Sequence, residues 1–580
     1  MRFPWMLALT GTLQGLLLWA LWHADKHKQW PATQPMLQAA LLYAALAVPL
    51  VIYFTQNVEH LSARVRRIAI GVYALAFAAL GAYALWASGA VNVRLDARPA
   101  DALAAFMLGF VSLSLLNGFD FETRRWRYAW LFNYSWRNGL LLVTAAAMTG
   151  VLWMVLFAGA GLMQLIGMKW VMRLIEEPLF AFPVSGFAVA AAMALGLART
   201  TMIESIRRFW LSISSWLLPL VLFFGVLWVL SIVFTGVGKL FETRSAALMM
   251  LWFAALAVQF TNCAYQDGEA QWPYPRWLSW GTQAAWLSML AVVGLAWWAL
   301  GLRVAQHGWS EQRLWAALAA LLAAVYAVGY ALSWLRRTRW MQAMAGANIV
   351  AAIVLCLGLL AFISPLANVQ RIAVAAHMQR VQQAGGKTEP DWRYLRWDAG
   401  RFGREALQAL AAGEGVPPGQ GWAQQAAKTL AQTNRYAQTD DGRSTTVPEA
   451  EVKQAFAVYP KGRELPPGFV SLAQRGDDEW QIKECLDAKE GSCSVWLGDL
   501  NGDGQEEVLL LGPEKTWTGV LYQRTGKQWR RTGSVAAIDV KGEFDSTQLK
   551  TAKSAKSEWA DLLLQGQRWR VRLGTDEGGE

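Results

Sequence analysis

The hydrophobic pattern divides the chain near residue 365. Before that point, long apolar runs follow one another with short polar connectors between them. After it, the spacing is that of amphipathic helices and short strands. A helix needs about 20 apolar residues to cross the hydrocarbon core of a bilayer. Eleven runs approach or exceed that length, at 5–23, 36–54, 68–90, 102–118, 138–163, 179–198, 209–236, 245–262, 279–301, 314–335 and 341–364. The sixth is the least regular. Glu176-Glu177-Pro178 and Pro183 stand at its start and admit a re-entrant entry. The first run has one early Arg and no small-x-small cleavage site, so it reads as an uncleaved span rather than a signal peptide.

Beyond Ser364-Pro365, the stretches NVQRIAVAAHMQRVQQ, GRFGREALQALAAG, GWAQQAAKTLAQ and VPEAEVKQAFAVY carry helical spacing with Gly or Pro at their ends. From about Trp480 the period shortens to that of strands, in WQIKEC, SVWLGDL, EEVLLLG, TGVLYQR, KQWRRTGSV and QRWRVRLG. A hairpin is expected from Tyr522 to Trp529, turning at Thr525-Gly526. The expected fold is an α-helical polytopic membrane protein with about eleven transmembrane helices over 1–365. An extracytoplasmic α+β domain follows, helical over 366–475 and a small antiparallel sheet over 476–580.

Composition agrees with two regions in two solvents. The chain has 580 residues, of which 55% are hydrophobic and 33 are Trp, which is abnormal for a soluble protein. The net charge of +11 does not point to nucleic acid, because there is no basic stripe. The Lys and Arg of the first region sit mainly in connectors, as topology signals do. One alternate set holds Arg2, Arg64, Arg66, Arg67, Arg124, Arg125, Arg127, Arg137, Arg199, Arg207, Arg208, Arg276, Arg336, Arg337 and Arg339. The other holds Lys26, Lys28, Arg94, Arg98, Lys169, Arg173, Lys239, Arg244, Arg303 and Arg313. The larger, denser set belongs in the cytoplasm. An odd number of spans then puts the N-terminus inside and the C-terminal domain outside, in the periplasm of a Gram-negative inner membrane.

The cysteines bear on the same question. Cys263 and Cys356 are isolated in apolar runs, whereas Cys485 and Cys493 share the polar loop CLDAKEGSC. A bridge between them requires an oxidising compartment; the alternative is two unbonded thiols.

The clearest candidate for chemistry is DLNGDGQEE. Asp499, Asn501 and Asp503 alternate, Gly504 permits a sharp turn, Gln505 would offer its carbonyl and Glu507 closes the set. These are the first nine positions of an EF-hand loop, but the twelfth is Leu510 and a strand follows. The loop is similar to the D-x-N-x-D-G turns between strands of extracellular domains. A structural Ca2+ is expected there, with an ion-free Asx/Gly turn as the alternative. At the outer membrane interface His23, Asp25 and His27 lie within one helical turn, and the topology adds Glu176, Glu177 and His307 to the same side. Metal binding or an envelope-lipid transferase site could be built from them; solvated juxtamembrane residues are the plainer reading. On the opposite side TRRWRYAWLFNYSWRN interleaves Arg with aromatics, as an interfacial helix does, with a partner-docking surface as the alternative. Asn117, Gln164, Gln259, Asn262, Gln283 and Asn348 stand inside spans, where helix-to-helix hydrogen bonding is their default role.

The stretches WPATQP, YAWLFNYSWRN, LRVAQHGWSEQRLWAALAALLAAVYAVGYA, WRYLRWDAGRFGREALQAL and DLNGDGQEE resemble a family of bacterial multi-pass inner-membrane proteins, domain of unknown function four-one-five-three. The resemblance implies an inner-membrane location and the same two-part architecture, and no reaction. The expected function is a non-enzymatic binding, sensing or scaffold module in contact with the lipid bilayer and an envelope protein partner. A solute or lipid transporter and the transferase are the alternatives.

Overall fold

The computed structural model describes residues 5–89, 99–238, 246–268, 273–335, 342–417, 420–432, 448–475, 480–487, 493–512, 518–525, 528–536, 549, 562–564 and 567–569. Among them, eleven helical segments are long and apolar enough to cross a membrane. They are α1 (Trp5–His27), α2 (Pro35–Thr55), α3 (Ala63–Ser88), α4 (Pro99–Asn117), α5 (Tyr128–Leu165), α7 (Pro178–Ala198), α8 (Thr200–Thr235), α9 (Ala246–Tyr265), α10 (Arg276–Ala285) running into α11 (Leu287–His307), α12 (Glu311–Leu335) and α13 (Gln342–Phe362). A short α6 (Trp170–Glu176) leads into α7. The entry to that span is therefore helical. Pro178 occupies the first turn, where its missing N–H leaves no bond unmade. The side chains of Leu75, Met154, Phe223 and Phe234 are exposed on these helices, a surface suited to lipid. Of the charged connector residues, Arg2, Arg94, Arg98, Lys239, Arg244, Arg336, Arg337 and Arg339 lie outside the described residues.

The bundle packs through small residues and polar ties. Gly11 and Gly15 of α1 lie directly against the backbone of Phe182, Pro183 and Gly186 in α7; a Cβ at Gly11 or Gly186 would overlap the other's carbonyl oxygen. Small residues four apart are what lets two membrane helices approach this closely. At the ends of α5, α9, α12 and α13, three buried polar side chains, Tyr128, Tyr330 and Asn348, bond with the half-buried Asn262. The Asn348 amide donates to Tyr128 Oη at 2.8 Å and to Asn262 Oδ1 at 2.7 Å. Tyr330 Oη donates to Asn348 Oδ1 at 2.6 Å and to Asn262 Oδ1 at 3.0 Å. Asn262 and Asn348 thus bond across helices. Gln259 and Gln283 bond within their own helices, and Gln164 is exposed.

Three helical elements after the last span belong to the same compact unit, Met1–Leu430, as the bundle. They are α14 (Val369–Gln383), α15 (Gly400–Ala411) and α16 (Trp422–Ala431), with a π-helical turn at Tyr394–Asp398. Asn368 caps α14 by accepting the N–H groups of Gln370 and Arg371. Val374, Val381, Leu395, Leu407, Leu410 and Trp422 form their core. The group docks on the ends of spans. Arg404 donates to the carbonyl of Ser88 at 3.1 Å, Phe402 meets Trp86 edge-on, and Arg380 donates to Gln306 O. The two compact units therefore divide at residue 430, not at the end of the last span.

His377 on α14 is a pH-sensitive tie. Its Nε2 accepts the Asp391 N–H at 3.0 Å, so the ring is neutral there. Burial lowers its pKa below the ordinary 6.5; Asp391 opposes the shift and Arg380 adds to it. A lowered folded-state value means the unfolded chain takes up the proton first. The stability it contributes is present above about pH 6.5 and is lost as pH falls through the folded value. Thermal melts of the full chain should fall as pH drops from 7 toward 5. His377→Gln, which keeps an acceptor but does not titrate, should flatten that stretch of the profile.

The second unit, Ala431–Glu580, holds α17 (Glu449–Ala455), β3 (Phe456–Tyr459), α18 (Pro467–Arg475), α19 (Trp480–Asp487), β4 (Cys493–Gly498), β5 (Glu507–Leu511), β6 (Thr518–Thr525) and β7 (Gln528–Ala536). Two departures from the sequence reading stand out. WQIKEC is helical, not a strand: Ile482, Cys485 and Leu486 fall at helical spacing and face the core. The sheet is mixed, not purely antiparallel, in the order β3-β4-β5-β6-β7. The end of VPEAEVKQAFAVY leaves the helix to form β3, which pairs with β4 in parallel. That pairing demands a long crossover, and α18 and α19 supply it. The strands β4 to β7 run antiparallel as expected, and the hairpin closes at Thr525↔Gln528; its tip, with Gly526, lies outside the described residues. Val508 and Leu510 of β5 face the helices, while Leu509 and Leu511 pack on Tyr459 and Trp496 across the other face. In the first unit a further pair, β1 (Phe119–Asp120) and β2 (Arg125–Trp126), turns the connector before α5.

Candidate functional sites

The loop between β4 and β5 folds around its own acidic side chains. Asp499 accepts the N–H groups of Gly502 at 2.6 Å and Gly504 at 2.9 Å. Asn501 Oδ1 accepts Asp503 N–H, and Asp503 Oδ1 accepts Gln505 N–H. Gly502 and Gly504 both take positive φ, at 78° and 81°, which a side chain would strain. Glu507 is 2% exposed; it accepts the Leu500 N–H at 2.8 Å and the Asn501 amide at 3.0 Å. The same amide donates to Asp503 Oδ2 at 3.0 Å. The Gln505 N–H, with the Asn501 amide, holds the Asp503 carboxyl below its ordinary value. Arg463 pairs with Glu506, the neighbour of Glu507, rather than with the carboxylates inside the loop. The arrangement therefore places Asp499, Asn501, Asp503 and Glu507 around one turn with neutral donors as their partners. Among the described residues no three His, Cys, Asp or Glu side chains are grouped to hold a metal ion, so a cation here would draw on Asn501 and the Gln505 carbonyl as well.

Cys485 at the end of α19 and Cys493 at the start of β4 are disulfide-bonded and fully buried. Cys263 and Cys356 are free.

At the positions expected at the outer interface, His23 and His27 pack ring to ring at 4.2 Å and Asp25 pairs with Lys28 at 3.4 Å. Glu176 and Glu177 are exposed at the junction of α6 and α7, and His307 is exposed at the end of α11. No hydrogen bond, ion pair or ring contact among the described residues joins either glutamate or His307 to the His23 group.

A site that the sequence did not assemble lies at the opposite ends of the spans. The connector 118–127 is tied by Asp120, whose Oδ2 accepts from Arg127 at 2.7 and 2.8 Å. Burial would raise the Asp120 carboxyl, but the N–H groups of Thr123 and Glu122, with the Thr123 hydroxyl and Arg127, hold it at about 2. Trp130 stacks on His60 at 4.0 Å and carries the Arg127 guanidinium at 4.6 Å. His60 donates to the carbonyl of Asn117 at 2.8 Å, and burial lowers its pKa. The Asn117 amide donates to Phe54 O at 2.9 Å. Arg137 donates to that same carbonyl at 2.6 Å, to Gln56 O at 3.2 Å and to Asn138 Oδ1, closing the free end of α2. Arg207 of α8 donates to Asn133 Oδ1 at 2.6 Å. Of these, Trp130, Asn133, Arg137 and Arg207 line a cavity of about 320 Å³ together with Asn57, Tyr134, Leu197, Thr200, Ile203 and Glu204. The sequence signal was the Arg-aromatic run itself, with Arg137 at the mouth of a span; its partners are scattered along the chain. A larger apolar cavity of about 750 Å³ lies between α8, α9 and α11, lined by Phe224, Leu227, Trp228, Met249, Met250 and Phe253 among others.

Comparison with family models, curated proteins and solved structures returns no match to this chain. What stands is an integral multi-pass membrane protein with eleven candidate spans and a C-terminal five-stranded mixed sheet.

Proposed function

We propose that the chain is a binding and scaffold module of a bacterial inner membrane, non-enzymatic, with a periplasmic head braced by Ca2+ and the Cys485–Cys493 bridge and open to an envelope protein partner. The resemblance noted in the sequence and the 15-to-10 division of connector Lys and Arg support the membrane and the orientation. The observation that carries the reading is the Tyr128–Asn262–Tyr330–Asn348 network. Its polar groups are spent on one another, which locks four helices together and suits a rigid support better than a polar path.

The calcium reading of the loop draws on Asp503 and Glu507, which share the Asn501 amide as donor, with Asp499, Asn501 Oδ1 and the Gln505 carbonyl as the further ligands it requires. The ion would replace the neutral Asn501 amide as the partner of Asp503 and Glu507. Calorimetric titration of Ca2+ into the full chain is expected to show one site. Asp503→Ala should abolish it together with any calcium-dependent rise in melting temperature. Identical melts in calcium and in chelator would leave an ion-free turn.

The apolar cavity between α8, α9 and α11 favours a second reading, a lipid carrier, since its lining matches acyl chains. Purified protein that accelerates exchange of labelled lipid between vesicles would move the assignment there. An unchanged exchange rate would leave the scaffold.

A further inference from the structure

We propose that the cavity formed by Arg137, Arg207, Asn133, Tyr134 and the first turn of α8 binds a singly charged phosphate group, a phosphodiester of the kind that membrane lipids carry. The first argument is unbalanced charge. Arg137 is half-buried and spends its donors on carbonyls of Phe54 and Gln56 and on Asn138, all neutral. Arg207 has one neutral partner, Asn133, and its Nε is buried with no partner at all. Two guanidinium groups are thus gathered at one cavity without a bonded carboxylate among the described residues. A cation kept from water without a counter-charge is unfavourable, so the cavity calls for an anion. Planar guanidinium forks match phosphate oxygens in particular.

The second argument is the helix end. Thr200 lines the cavity in the first turn of α8, where Met202 and Ile203 already bond to the Arg199 carbonyl and the N–H groups of Thr200 and Thr201 are the ones without a partner within the helix, at its positive end. The third is charge count and depth. Glu204 also lines the wall, exposed, so two Arg and one Glu leave a single net positive charge, which a phosphodiester neutralises and a dianionic monoester exceeds. The cavity lies where α7 ends at Ala198 and α8 begins at Thr200, level with polar connectors, as a headgroup does. Leu197 and Ile203 on the same wall would meet the apolar part of such a molecule. The site belongs to the first unit and uses none of the loop residues of the second, so it stands or falls separately from the calcium-braced head.

The test is native mass spectrometry of the full chain in a neutral detergent, titrated in separate arms with short-chain phosphatidylglycerol, inorganic phosphate and diacylglycerol. Arg137 variants risk the fold because Arg137 closes α2, so Arg207→Gln is the first variant. It should weaken phosphatidylglycerol binding about tenfold, the loss of one charge-assisted contact. Glu204→Gln should strengthen it, a sign that mere misfolding does not produce. Saturable binding of phosphatidylglycerol, sensitive to Arg207, supports a lipid source; saturable, Arg207-sensitive binding of inorganic phosphate alone supports the site with a soluble source. Diacylglycerol bound as well as phosphatidylglycerol, or anion binding indifferent to both variants, overturns the proposal.

Discussion

Gly186→Leu is expected to break the packing of α1 on α7. A Leu side chain there has no empty volume to enter, because the obstacle is the Gly11 backbone rather than a side chain that can turn away. Extra methylenes in a packed interior cost about 1–3 kcal/mol when neighbours can shift, and a backbone obstacle puts the cost at or above the upper end. The helices must separate, and the contacts of Gly15 with Phe182 and Pro183 are lost with them. The damage should spread, since α7 also packs on α5 and its last turn supplies Leu197 to the anion cavity. Gly150→Leu in α5 is the control: nothing lies within reach of its Cβ, so the substitution should be silent. Size-exclusion profiles and melting in detergent check both. A Gly186→Leu protein as monodisperse and as stable as Gly150→Leu would refute the close helix contact.

The same contact shows what could be read from the residues and what could not. Length and apolarity alone marked all eleven spans, because a bilayer imposes one requirement on every crossing helix. GTLQG, Gly11 to Gly15, was equally visible, but nothing local says which helix it meets. The partner is Gly186, some 170 residues away along the chain. The anion cavity was hidden for that reason: Arg137 bonds to Phe54 across 83 residues and Arg207 to Asn133 across 74. In the soluble part the errors arose where short apolar runs fit both periods. Trp480 to Cys485 satisfied alternation at its first steps, yet Ile482, Cys485 and Leu486 decide for a helix. Phe456 to Tyr459 looked like the end of a helix, and only pairing with β4, a tertiary fact, makes it a strand. The order of Asp499 to Glu507 was legible as a turn because Asx and Gly chemistry is local. The group of His23, Asp25, Glu176 and His307 expected at the outer interface rested on shared sidedness, which places residues at one depth without bringing them together.

Replacing both Cys485 and Cys493 with Ala is expected to loosen the second unit more than any surface change. The bridge joins α19 to the first residue of β4, and both sulfurs lie in the core with Val452, Phe469, Val495, Val508 and Tyr522. Closing so short a loop removes chain entropy from the unfolded state worth about 2.5 kcal/mol. Ala avoids adding a buried hydroxyl, so the loss reflects the cross-link and a small cavity. Read as amide exchange in the full chain, that energy is about a 50- to 100-fold acceleration at Val495, Val508 and Tyr522, if those amides open with the whole unit. Reductant should reproduce the effect on the natural sequence, while amides of the α9–α13 network around Asn348 stay protected in both cases. The measurement also bears on the compartment. A bond that stabilises the head must be made where thiols oxidise, which supports an outward head. If exchange in β4 to β6 is the same with and without the two cysteines, the thiols contribute only packing. The orientation would then rest on the division of Lys and Arg between connectors alone.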